Sequence, residues 1–224
     1  MKLVFFGDSL TQGTFGVSYL DKLAAAVRGH HFINQGINGD TSLNLYRRVA
    51  ADVLAEKPDG CLVMVGINDA ISHTEPGLRP YYRLAKRIPQ GHISPIAFRE
   101  NQRAVLTTLV QAGIRVWVAL PPVEYRPALV DALREVNALH QELCAELNIP
   151  ALDLLRAMTP VAVPERPPLG LDHYRIGLEI AVGIKRYEAL QQAGGYTYSF
   201  DGIHLTDFGA TRLAELLRGF LKLG

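Results

Sequence analysis

Two short stretches near opposite ends of the sequence carry residue types that could do chemistry together. One is Gly7-Asp8-Ser9-Leu10; the other is Asp201-Gly202-Ile203-His204. A serine hydroxyl is a weak nucleophile. It needs a base to take its proton, a group to orient that base, and donors for the oxyanion that forms. Asp201 and His204 have the types and spacing for the orienting group and the base. With glycine between them they can fold into one tight turn. Asp201 then accepts the proton on one imidazole nitrogen and leaves the other to face Ser9. His204 also stands just before a helix that begins near Thr206. A helix N-terminus disfavours imidazolium, so the Asp201 charge has to offset it.

Three oxyanion donors can be named. Gly39 has no side chain and can bring its backbone N–H close. Asn68 carries an amide NH2 that can point at a developing negative charge, and the Ser9 N–H is the third. Asp8 and Asp69 flank these positions and are expected to hold loop geometry through hydrogen bonds. Asp172-His173 is a second acid–histidine pair, but no further motif accompanies it. The cysteines and histidines lack zinc-type spacing, so no metal is expected.

The elements that must position these residues alternate along the chain. Lys2 to Phe6 reads as a buried strand broken by Gly7. Val17 to Arg28 can form a helix, with Ser18 and Asp21 as a capping box and Gly29 at its end. His31 to Asn34 reads as the second strand. The Gly39 loop follows, and then a helix from about Ser42 to Glu56 capped by Asp40 or Thr41. Cys61 to Val65 is unbroken apolar, as a central parallel strand covered on both faces should be. Ser94-Pro95 opens a helix that ends at Gly113. Arg115 to Leu120 is the fourth strand, Pro127 to Asn148 a long amphipathic helix, and Pro150 to Leu154 a short fifth strand. Such alternation, without repeat or linker, implies one doubly wound parallel sheet with helices on both faces, in a single domain over 1–224. Ser9, Gly39 and Asn68 each fall just past a strand, on the rim where open parallel sheets bind ligands. Two segments break the rhythm: 70–91, rich in proline and aromatics, and 156–200, Pro-rich and then helical from about His173 to Gln192. Segments this long are expected to wall or cover a site.

Bulk properties exclude several classes. The chain has 224 residues and a net charge of +1, which gives no reason to expect nucleic acid as a partner. Cys61 and Cys144 lie in apolar segments and read as buried thiols. No run has the apolar length of a membrane span, so stable membrane insertion is not expected. Taking Met1 as the native start, no signal peptide fits before Ser9, and a cytoplasmic enzyme is the default. Four basic residues against Glu75 between Ile71 and Ser94 could steer an anionic substrate, though a solvated face is preferred.

Gly7-Asp8-Ser9-Leu10, the Gly39 loop, Gly66-Ile67-Asn68-Asp69 and Asp201-Gly202-Ile203-His204 occur in the order and approximate spacing of the GDSL, or SGNH, hydrolases. The chain resembles that family over essentially its whole length. The resemblance implies a three-layer α/β/α, flavodoxin-like sandwich whose five-stranded parallel sheet has the order 2-1-3-4-5. By position it implies Ser9 as nucleophile, His204 as general base, Asp201 as triad acid, and Gly39 and Asn68 as oxyanion donors. It further implies a small-molecule ester, thioester or O-acetyl substrate and no cofactor. The main departure from the family pattern is the length of the Arg156–Phe200 segment, which bears on the substrate. Acyl transfer would use the same residues with an acceptor other than water. A flavodoxin-like flavin binder is the alternative of a different class, and it predicts a yellow protein. The first loop has neither G-x-G-x-x-G nor a P-loop, and Ser9 lacks the second glycine of G-x-S-x-G. The sequence leaves the oligomeric state open.

Overall fold

β1 (Lys2–Gly7) is the strand around which the sheet is built. Val4, Phe5 and Phe6 have no exposed surface, and successive side chains enter opposite cores. Burying each phenylalanine is worth about 1.5–3 kcal/mol. The computed structural model describes residues 1–170, 183 and 186–223. Within them β1 pairs with β2 (His31–Gly36) on one side and β3 (Gly60–Met64) on the other, both parallel. β4 (Arg115–Leu120) and β5 (Ala151–Asp153) continue the sheet, also parallel. The strand order is β2-β1-β3-β4-β5. The chain therefore reverses its direction of travel between β1 and β3, which opens a crevice beyond their carboxyl ends.

The helices in chain order are α1 (Ser9–Gln12), α2 (Tyr19–Ala26), α3 (Ser42–Asp52), α4 (Ile67–Thr74), α5 (Arg79–Leu84), α6 (Pro95–Gln111), α7 (Pro127–Glu146), α8 (Leu154–Met158), α9 (Tyr187–Gly194) and α10 (Asp207–Leu221). One face of the sheet, with Val4, Phe6, Cys61 and Val63, packs on Leu45 and Val49 of α3, Val105 and Leu109 of α6, and Leu129 and Leu133 of α7. The other, with Leu3, Phe5, Leu62 and Met64, packs on Leu20 and Leu23 of α2 and Leu213 and Leu217 of α10. This is the expected three-layer α/β/α arrangement and strand order. Cys61 and Cys144 are buried free thiols. Among the described residues no helix is long and apolar enough to cross a membrane.

Several boundaries differ from expectation. α2 starts at Tyr19 because the Ser18 hydroxyl accepts the Asp21 N–H at 3.1 Å and caps it. β5 stops before Leu154 because the Asp153 carboxylate caps α8 through the Arg156 N–H, 2.9 Å. The larger difference is in 70–91, expected to be irregular and found mostly helical. Pro76 and Pro80 sit in the first turns of a 3₁₀ helix (Pro76–Leu78) and of α5. A missing N–H costs nothing there, so these prolines start helices. Asn68 and Asp69 thus lie in the first turn of α4. Of the helix expected from about His173 to Gln192, Tyr187 to Gln192 is helical in α9. The earlier part, with Asp172-His173, lies outside the described residues.

Candidate active site

Ser9 owes its position to local structure. β1 ends at Gly7, and Asp8 caps α1 by accepting the Leu10 N–H at 3.1 Å. The Gln12 N–H donates to the Asp8 carbonyl (2.9 Å) and the Gly13 N–H to the Ser9 carbonyl (3.0 Å), so the turn closes on itself. Ser9 is left 3 % exposed at the crevice, at the N-terminus of α1.

His204 comes from a loop outside the sheet, closed at its base by one antiparallel bridge between Ser199 and Leu205. The Asp201 carboxylate accepts the Ile203 and His204 N–H groups at 2.9 and 2.7 Å, which folds the turn around it. Gly202 has φ +91, and a Cβ there would meet the Tyr125 backbone, so only glycine fits. A second carboxylate, Glu124, fixes the loop from outside. It is 4 % exposed and accepts the N–H groups of Thr197, Tyr198 and Ser199 and the Ser199 hydroxyl at 2.6–2.9 Å. The Glu124 N–H in turn donates to the Gly202 carbonyl, 2.9 Å. Nothing in the sequence pattern pointed to Glu124. The available signal was a lone acid in the otherwise apolar Pro122-Val123-Glu124-Tyr125, just past β4 on the same rim.

The two turns meet. His204 Nδ1 lies 2.7 Å from Asp201 Oδ2, and Nε2 lies 3.0 Å from Ser9 Oγ. The imidazole is flanked by the Phe15 and Phe200 rings, at 5.4 and 6.0 Å between centroids. Burial alone would lower the His204 pKa. The charge and hydrogen bond of Asp201, aided by the Asp8 charge, outweigh it, and the net shift is upward. An Nδ1 proton donated to Asp201 leaves Nε2 as acceptor for the Ser9 hydroxyl proton.

Gly39 and Asn68 lie past β2 and β3. Gly39 is buried with φ +75, and a Cβ there would collide with the Tyr81 hydroxyl. Asp40 beside it pairs with Arg48 at 2.8 Å and Lys86 at 2.6 Å. Arg48 also donates to the Gly7 carbonyl at 2.9 Å, which ties the Gly39 loop to the end of β1. Asn68 Nδ2 donates to Asp8 Oδ2 at 3.3 Å, and its Oδ1 accepts the Tyr82 hydroxyl at 2.8 Å. Asp69 accepts the Ser42 N–H, at 3.0 and 3.1 Å to its two oxygens, and the Ser42 hydroxyl at 2.6 Å, which joins α4 to α3. Burial pushes both Asp8 and Asp69 up to about 7.

Of the basic residues of 70–91, Arg83 and Arg87 are exposed as expected of a solvated face, and Lys86 is not. Lys86 is committed to Asp40, with an 11 % exposed side chain, and Glu75 is buried against Arg126 and the Leu169 N–H. Among the described residues no group of three or more histidine, cysteine or acidic side chains could hold a metal ion.

Over an 86-residue alignment the chain is 40% identical to an acetylxylan esterase from Geobacillus stearothermophilus, covering 30% of this chain and 39% of that protein. The solved structure of Axe2, an acetylxylan esterase from the same organism, superposes with a TM-score of 0.66 at 20% identity, covering 100% of this chain and 94% of that one. A lipase/acylhydrolase from Enterococcus faecalis gives a TM-score of 0.63 at 24% identity, over 99% and 95% of the two chains. These two likenesses show the fold. Residues 5–212 match the model of the GDSL-like lipase/acylhydrolase family, from the strand before Ser9 to the helix after His204. The chain belongs to that family, a family of carboxylic ester hydrolases.

Proposed function

We propose that the protein is a serine-dependent carboxylic ester hydrolase that works through an acyl-enzyme, with small acetyl esters as its substrates. The observation that carries the proposal is the run Ser9 Oγ, His204 Nε2 and Nδ1, Asp201 Oδ2, with links of 3.0 and 2.7 Å. In this mechanism His204 takes the Ser9 proton as Oγ bonds to the ester carbonyl carbon. The oxyanion is received by the Ser9 N–H, the Gly39 N–H and the Asn68 amide. The carbon–oxygen bond to the alcohol then breaks, and His204 returns its proton to the leaving oxygen. Water, deprotonated by the same imidazole, releases the acid and restores Ser9. Asp201 holds the tautomer and stabilises the imidazolium between the two transfers. The acetyl preference rests on the aligned acetylxylan esterase segment.

The test is a panel of p-nitrophenyl esters from acetate to palmitate, together with O-acetylated xylo-oligosaccharides, run beside Ser9→Ala. Turnover should be highest for acetyl groups and fall by about 10⁶ in the variant. Faster release from long chains would replace acetyl preference with a lipase-like one. If the wild type cleaves nothing and a fluorophosphonate traps no adduct on Ser9, the mechanism is wrong.

A further inference from the structure

We propose that Tyr82 is a positioning residue of the oxyanion hole: its hydroxyl anchors the Asn68 amide in place, so that Nδ2 stays within reach of the carbonyl that Ser9 attacks. The inference rests on the reading of Asn68 as an oxyanion donor. A primary amide can turn by half a revolution and exchange its oxygen and nitrogen with almost no change of shape. Only one orientation presents a donor to the oxyanion, so something must select it.

Among the described residues two neighbours hydrogen-bond the amide. Tyr82, 2 % exposed, donates to Oδ1 at 2.8 Å. Asp8 accepts one Nδ2 proton at 3.3 Å, and the second proton is left for the oxyanion. Asp8 tells the two ends of the amide apart when ionised, but it is the weaker anchor. Its contact is long for a hydrogen bond. Burial pushes its carboxyl up to about 7, and in its protonated form it can donate to an amide oxygen as well as accept from an amide nitrogen. A tyrosine hydroxyl can also accept, so the amide turned round would still bond it: the Tyr82 contact fixes where the amide lies rather than which end is which.

The same short helix also reaches Gly39. The Tyr81 ring meets the Tyr82 ring edge-on, with centroids 5.2 Å apart. The Tyr81 hydroxyl occupies the space a Cβ on Gly39 would need. Two consecutive tyrosines of α5 therefore stand behind the two donors that come from different loops. The 70–91 segment so acts on the chemistry as well as on the outline of the crevice.

The test is a double-mutant cycle on kcat for p-nitrophenyl acetate, using Tyr82→Phe, Asn68→Ala and both together. Tyr82→Phe keeps the ring and removes the hydroxyl. It should lower kcat about tenfold, a fraction of the roughly 10²–10³ that losing a donor outright costs, with KM within about twofold. In the Asn68→Ala background the same change should have no further effect, because the amide it anchors is gone. That double variant leaves no unpartnered amide oxygen, so it serves even where Tyr82→Phe alone folds poorly. A further tenfold loss in the double variant, or a Tyr82→Phe enzyme with wild-type kcat, overturns the role given to Tyr82. If Asn68→Ala itself leaves kcat unchanged, the failure lies with the oxyanion reading of Asn68.

Discussion

The serine turn and the histidine turn reach the same point by different means. The turn at Asp8 to Gly13 is closed by bonds among its own residues, directly after a central strand. The turn at Asp201 to His204 also wraps its own carboxylate, but its loop is fixed by Glu124, whose carboxylate takes four hydrogen bonds from residues 197–199. On the proposed mechanism the nucleophile sits on a self-closing turn and inherits the rigidity of the sheet, while the base sits on a tethered loop that depends on a residue more than seventy positions away.

The sharpest way to probe the histidine turn is Asp201→Asn. It keeps the shape but removes the charge that raises the His204 pKa. Turnover should fall by about 10³–10⁴. The pH profile carries the sign. With a raised pKa, His204 stays protonated and unable to act as base up to a pH above its ordinary value, and kcat/KM rises as pH passes that point. Without the Asp201 charge this acid limb should move to lower pH, read from kcat/KM between pH 5 and 9. A limb that stays in place would mean that another group sets it.

Glu124→Gln breaks the external tether. An amide offers one acceptor oxygen where four donors converge, and it turns an NH2 toward some of them. The expected cost is about 3 kcal/mol of stability, seen as a Tm roughly 6–12 °C lower. Turnover should drop about 10–100-fold through misplacement of the imidazole. Unchanged turnover would show that the local Asp201 wrap suffices and would erase the contrast between the turns. On the serine side the matching change is Asp8→Asn, and its effect should be the smallest. The Asp8 charge also raises the His204 pKa, so its removal should shift the acid limb downward by less than Asp201→Asn does. Because Asp8 ionises only near 7, turnover should change by no more than a few-fold, measured at pH 6 and 8.

The same contrast explains what could be read in advance. The sheet was legible because Val4-Phe5-Phe6 and Cys61 to Val65 are apolar runs between turn residues, which suits only strands covered on both faces. Ser9 and Asn68 were legible as candidates because each lies just past such a run, and Gly39 because it follows the strand read at His31 to Asn34. The motif Asp201-x-x-His204 was legible because its partner is three residues away. Glu124 and Tyr82 were not. They act through long-range hydrogen bonds, and neither has a local pattern that separates it from an ordinary acid or a core aromatic. The helices of 70–91 were not legible because a Pro-rich segment carries no clear apolar period, and Pro76 and Pro80 initiate helices only by standing in their first turns.

The Ser9–His204 contact joins residues 195 positions apart. A chain that carries Ser9 but stops short of residue 204 lacks the imidazole proposed to take its proton. On the proposed mechanism turnover therefore reports that two distant turns have docked, and a fragment truncated before residue 204 should be inert however well its sheet assembles.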